Sequence, residues 1–141
     1  MKYLLDTDVV SEIRRGRDRS VAAWAESVKA DELYLSVLTV GEIRNGIERL
    51  RARDPDQAAL FDVWLSELRL RFAERILPVD EGAADQWGRL NAAAPRKTVD
   101  SLIAATAHVH ALTVVTGNTR DFAGCDVPLL DPWQFASGEP R

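Results

Sequence analysis

Along the chain, short apolar runs rich in β-formers alternate with longer stretches whose apolar residues recur at helical spacing. Lys2 to Leu5 reads as a buried strand, since a short apolar run bounded by polar residues suits a strand covered on both faces. A short helix follows through Val9, Val10 and Ile13, and a polar break at Gly16 to Ser20 precedes a second helix over Val21 to Val28. Leu33, Tyr34 and Leu35 form the next strand. After Ser36 the apolar positions Val40, Ile43, Ile47 and Leu50 fall three, four and three apart, which is the stripe of a helix buried along one face. Asp54-Pro55 ends that helix near Arg53 and opens another, because Pro suits a first helical turn and disfavours helix in the residue before it. Helical pattern then runs from about Gln57 to Phe72. Ile76 to Val79 is a third strand, Ala83 to Ala94 a helix stopped by Pro95, and Thr98 an N-cap for a helix reaching about His110. Leu112 to Thr116 is a fourth strand; a short helical turn and an apolar pair, Leu129-Leu130, suited to an edge strand, lie beyond Gly117.

Strands separated by helices imply parallel crossovers and a sheet covered on both faces. The pattern therefore predicts one α/β domain over residues 1–135, a three-layer α/β/α sandwich with a mostly parallel central sheet, and a short C-terminal tail at 136–141. A chain of 141 residues with 46% hydrophobic and 28% charged residues has the composition of such a domain. A single cysteine, Cys125, excludes an internal disulfide and a cysteine-rich zinc site. The first apolar run meets Asp6 at once, too early for a signal peptide, and no stretch is long and apolar enough for a membrane span. The expected location is the cytoplasm. A formal charge of −4 argues against a protein that grips nucleic acid through a broad basic surface, but not against a nuclease that holds its substrate through a bound metal.

In open parallel sheets, ligands bind beyond the carboxyl ends of the strands, which directs attention to Asp6 after the first strand and to Thr116, Asn118 and Asp121 after the fourth. Asp6 alone is equally an N-cap, a role Thr7 or Asp8 can share. Glu42 flanks the apolar stripe of its helix with Gly46 one turn on, where a missing side chain leaves room for a partner; a solvated pair with Arg49 is the alternative. Asp100 lies in a first helical turn, where the macrodipole favours an acid whatever its function. Ala104 and Ala107 follow on its face and let that helix pack closely. Asp121 suits a capping turn as well as a site. Converged, the four acids repel: two unit charges about 4 Å apart cost about 4 kcal/mol at an effective dielectric near 20. Something positive must compensate, and hard oxygen ligands suit Mg²⁺ or Mn²⁺. His108 and His110, two apart on one helix, cannot face the same ion.

Four ordered segments carry a family resemblance: Leu4 to Glu12 (LLDTDVVSE), Val40 to Ile47 (VGEIRNGI), Asp100 to Ala107 (DSLIAATA) and Thr116 to Phe122 (TGNTRDF). They resemble the successive motifs of PIN-domain ribonucleases, and among these the VapC-type toxins of type II toxin–antitoxin systems, the FitB-like subgroup included. The tail Leu129 to Trp133 is similar too, so the resemblance spans about residues 2 to 135. It implies a Mg²⁺- or Mn²⁺-dependent endoribonuclease that hydrolyses RNA with a metal-activated water and is inhibited by a cognate VapB-like antitoxin. By that match Asp6 and Asp100 would be the metal ligands, Glu42 a ligand or the group that orients the attacking water, and Asp121 the fourth acid. Thr7, Thr116 and Asn118 would orient the site. A homodimer is implied as well. Two positions depart from the pattern: Asp8 stands where Asn is common, adding charge beside Asp6, and Asn118 where many relatives carry an acid, which weakens the expectation of a second metal ion.

Leu4 to Val9 also fits the first motif of haloacid-dehalogenase-like phosphatases, but no Lys follows Lys97 to complete that pattern. The same lack disfavours a phospho-receiver module, and the full acid set disfavours a non-catalytic, protein-binding PIN scaffold. Arg14, Arg15, Arg17, Arg96, Lys97 and Arg120 are candidate contacts to an RNA backbone, each equally readable as solvated charge. Exposed aliphatic and Trp positions on the early helices suit an antitoxin groove, although Trp24, Trp64 and Trp87 also read as core.

Overall fold

The computed structural model describes residues 1–135; the predicted tail at 136–141 lies outside the described residues. Five strands, β1 (Tyr3–Leu5), β2 (Leu33–Ser36), β3 (Ile76–Leu77), β4 (Thr113–Val115) and β5 (Leu129–Leu130), form one sheet in the order β3-β2-β1-β4-β5. Every pairing is parallel, with Leu5 opposite Val115 and Leu4 opposite Tyr34. The connections are α1 (Thr7–Arg15), α2 (Arg19–Ser27), α3 (Val37–Arg51), α4 (Pro55–Arg71), α5 (Glu81–Ala93), α6 (Thr98–Val109) and α7 (Thr119–Phe122).

Alternate residues of the strands serve two separate cores. Leu5, Leu35 and Val115 pack with Val9, Val10, Trp24, Ile43, Ile47, Leu65 and Leu68 from α1 to α4. Leu4 and Val114 face the other way, onto Leu90, Ile103, Ala104, Ala107 and Phe122 from α5 to α7. That is the expected three-layer sandwich. Because both faces are buried, the strands read as continuous apolar runs rather than alternating ones.

Boundaries differ from the pattern at several ends, each for a local reason. Helix α4 begins at Pro55, as expected of a Pro in a first helical turn, although the helical pattern itself shows only from Gln57, and Asp54 caps it by accepting from the Gln57 N–H at 3.1 Å. Asp80 does the same for α5 through the Ala83 N–H at 3.0 Å, so α5 begins at Glu81. Strand β3 stops at Leu77, before Pro78, which has no N–H to give a ladder. Thr98 is not the N-cap of α6: Lys97 holds that position, without a side-chain cap, and Thr98 is the first helical residue.

Candidate active site

The carboxyl end of β1 delivers Asp6 directly. Its N–H still donates to the Val115 carbonyl at 2.9 Å, so the residue is fixed by the sheet although it lies one position past the strand. Its Oδ1 accepts from the Thr7 N–H at 2.9 Å and its Oδ2 from the Thr116 hydroxyl at 2.8 Å. Only 6% of Asp6 is exposed. Burial raises its pKa, the hydrogen bonds from Thr116 and Thr7 oppose that, the charges of Glu42 and Asp121 add to it, and the net shift is upward. The capping reading of Asp6 thus holds, since it caps α1, and it is compatible with Asp6 facing a cleft.

Four further acids line the same cleft, of about 440 Å³. Glu42, exposed on α3, accepts from the Thr7 hydroxyl at 2.6 Å, which ties α3 to the start of α1. No pairing of Glu42 with Arg49, the alternative reading, is present among the described residues. A Cβ on Gly46 would meet nothing within 4 Å, so no neighbouring group uses the space left there. Asp100 sits in the first turn of α6, held by the fully buried Ala104 and Ala107. It accepts no hydrogen bond among the described residues, and its pKa is pushed up to about 6 by burial first and then by the charges of Asp6 and Asp121, with Lys97 opposing. Asp121, on α7, receives the Lys97 ammonium at 3.5 Å.

Asp8 is the fifth acid, and its part in the cleft was not assigned from the sequence. Its Oδ2 accepts from the Gly117 N–H at 3.0 Å and from Asn118 Nδ2 at 3.4 Å, while Oδ1 is buried without a hydrogen-bond partner among the described residues. Burial and the charge of Asp6 raise its pKa to about 6. Asn118 therefore braces Asp8 rather than Asp6, and its own N–H donates to the Thr116 hydroxyl at 3.0 Å. Gly117 is required here: a Cβ would lie 2.8 Å from the Trp133 ring and 3.1 Å from Asp8 Oδ2. Trp133, from the C-terminal segment, thus closes the floor beneath the β4 end.

A family model described as PIN domain matches residues 3–126. The chain belongs to the PIN-domain family. Toxin FitB of Neisseria gonorrhoeae is 36% identical over 136 residues, covering 92% of this chain and 97% of that protein. VapC ribonuclease Y4jK of Sinorhizobium fredii is 34% identical over 140 residues, covering 94% and 99%. The crystal structure of FitAcB from Neisseria gonorrhoeae superposes with a TM-score of 0.85 at 34% identity, over 94% of this chain and 99% of that one. The structure of FitAB bound to the IR36 DNA fragment gives 0.85 at 33% identity, over 97% and 99%. This PIN domain is accordingly of the VapC type.

The donor chemistry of the PIN cleft suits a hard cation. It offers carboxylate oxygens and no sulfur or imidazole; His108 and His110 are both exposed at the far end of α6. Among the described residues no three His, Cys, Asp or Glu side chains form a group able to hold an ion unaided. Mg²⁺ usually takes one or two carboxylates and completes its shell with water and substrate phosphate.

Proposed function

We propose that this PIN domain is the ribonuclease toxin of a toxin–antitoxin pair, a divalent-metal-dependent enzyme that hydrolyses RNA phosphodiester bonds. The observation that carries the reading is the convergence of Asp6, Glu42, Asp100 and Asp121, from four separate elements, on one cleft at the strand ends. The names of the relatives, toxin and ribonuclease, agree with it.

Asp6 and Asp100 are the residues that would hold the ion. Asp6 is positioned through both oxygens by Thr7 and Thr116, whereas Asp100 accepts no hydrogen bond among the described residues. Bound Mg²⁺ or Mn²⁺ supplies Lewis-acid stabilisation of charge on the scissile phosphate and lowers the pKa of water. Glu42 is anchored through Oε1 by the Thr7 hydroxyl, leaving Oε2 to orient the attacking water and accept its proton. Asp121 adds a carboxylate on the Lys97 side of the cleft.

Cleavage of RNA by the wild type, Asp6→Asn and Asp100→Asn, with Mn²⁺ and with excess chelator, tests the assignment. Loss of at least about 10²-fold in either variant is expected, as for removal of one preorganised electrostatic contact in a catalytic site; activity unchanged in both, or full activity in chelator, removes it.

The partner is an antitoxin. A groove of about 410 Å³ is lined by Leu5, Val10, Trp64 and Phe72 and edged by Arg14, Arg71 and Arg75. Its apolar floor and basic rim suit an amphipathic segment with acidic flanks. The homodimer belongs to the same proposal, with the outer face of α4 as its contact.

A further inference from the structure

Six basic residues are candidates from sequence for touching an RNA backbone, and the structure separates them. The Arg14 guanidinium lies over the Phe61 ring at 4.0 Å and the Trp64 ring at 5.4 Å, beside the apolar groove. Arg15 pairs with Glu12 at 3.1 Å. Arg96 donates to the carbonyls of Ala94 and Ala123 at 2.9 and 3.2 Å, joining the loop before α6 to the loop after α7. Arg17 and Arg120 do not line the cleft. Lys97 does, and its ammonium is the lone basic group among the described residues that line it, facing five carboxylates.

We propose that Lys97 is a substrate-binding residue, whose ammonium takes an RNA phosphate in the acidic cleft. The inference rests on the ribonuclease reading. The Lys97 side chain is 75% exposed and its pair with Asp121, at 3.5 Å, is long. Exposed pairs of this kind contribute little, so exchanging Asp121 for a phosphate costs little. An ammonium has three donors, and one is used. The residue also stands three positions before Asp100, on the same side of the cleft, so a phosphate held by Lys97 lies beside the acids assigned to the ion. A polyanion entering a space with five carboxylates meets repulsion that one divalent ion offsets only in part, and Lys97 supplies the remaining attraction. The fold needs only its backbone, because the Lys97 carbonyl accepts from the Ser101 N–H and hydroxyl at 3.0 and 2.9 Å.

The test compares wild type, Lys97→Gln and Lys97→Arg on a short single-stranded RNA, with Mn²⁺, across a KCl series. Lys97→Gln is expected to raise KM about tenfold while kcat stays within about threefold, as for loss of a charge-assisted contact made to substrate and transition state alike. The slope of log(kcat/KM) against log[salt] should become shallower by about 0.7, one phosphate contact on a single strand. Lys97→Arg should restore most of both. The rise in melting temperature on adding Mn²⁺ should be undiminished in Lys97→Gln, which separates substrate binding from damage to the metal site. Unchanged KM and slope, or a fall in kcat at constant KM, overturns the proposal. If the wild type itself leaves RNA intact, the ribonuclease reading fails instead; binding of the same RNA, followed by fluorescence anisotropy, then decides Lys97 alone, equal affinity of wild type and Lys97→Gln overturning it.

Discussion

At the scale of single residues, the cleft stores charge that the fold does not fully compensate. In the folded chain the pKa values of Asp8 and Asp100 are pushed up to about 6 from the ordinary aspartate value of 3.8. As pH rises through that interval the unfolded chain gives up these protons first, so the folded state holds more protons and loses stability relative to it. The loss runs through pH 6 and levels off about one unit above it. Carboxylates whose pKa is lowered, such as Glu48 and Asp62 in their pairs with Arg51 and Arg44, act with the opposite sign but at lower pH. Between pH 5 and 7 the site acids therefore set the slope. The metal-free protein should melt at a higher temperature at pH 5 than at pH 7.5, and Asp100→Asn should reduce the difference. Mn²⁺ should stabilise more at pH 7.5, where the carboxylates it binds are charged. Calorimetry showing equal metal-free melting at both pH values, or the same slope in Asp100→Asn, would contradict the account. Asp6 and Asp100 were legible in sequence because each abuts a recognisable strand or helix. Asp8 was not, because its burial depends on Gly117 and Trp133, more than a hundred residues away.

At the scale of elements, periodicity located every strand of the sheet and the helices that cover it, and erred at ends that an adjacent cap or a proline decides. Ser36 illustrates the agreement: it closes β2 and caps α3 by accepting from the Leu38 N–H at 3.0 Å. Helix α4 shows a feature that periodicity alone does not explain. Ala58, Leu65 and Leu68 are buried, yet Leu60, Val63 and Leu70 are 61%, 58% and 79% exposed. A helix apolar on both sides normally has neighbours on both, and within the chain α4 packs chiefly on α3, with Asp62 bound by Arg44 and Arg51 at 2.6 and 2.7 Å. Charge along α4 runs from Asp56 to Arg69 and Arg71, so two copies packed antiparallel bring opposite charges together while covering the stripe. Under the homodimer proposal, Leu60→Glu with Leu70→Glu should convert a dimer into a monomer in sedimentation, with unchanged far-ultraviolet circular dichroism. A wild type that sediments as a monomer rules out the pairing.

At the scale of the whole molecule, the net charge of −4 conceals two opposed surfaces. The acidic cleft lies at the N-terminal end of α1, where Thr7 lines it, and the arginine-edged groove lies toward the other end, at Ile13 and Arg14. Seven residues of helix separate Thr7 from Arg14, about 10 Å at the usual rise, a gap that about three extended residues span. Under the proposed docking, one antitoxin segment is long enough at that span to fill the groove and continue over the cleft. Its chemistry is constrained at both ends: apolar and acidic where it meets Trp64, Arg14 and Arg71, and basic where it meets Asp6 and Asp100. Of the groove arginines, Arg75 is committed to the Leu33 and Arg71 carbonyls at 2.9 and 3.2 Å, so the proposed docking assigns recognition of the partner to Arg14 and Arg71. Arg14→Glu with Arg71→Glu should weaken antitoxin binding by at least about tenfold in calorimetry, the cost of roughly one charge-assisted contact, and the loss should shrink when acids of the antitoxin are changed to Lys. Asp6→Asn should affect only the cleft end, leaving the groove contribution intact. Unchanged affinity in the arginine double variant would move the antitoxin elsewhere on the surface, while leaving the assignment of the cleft untouched.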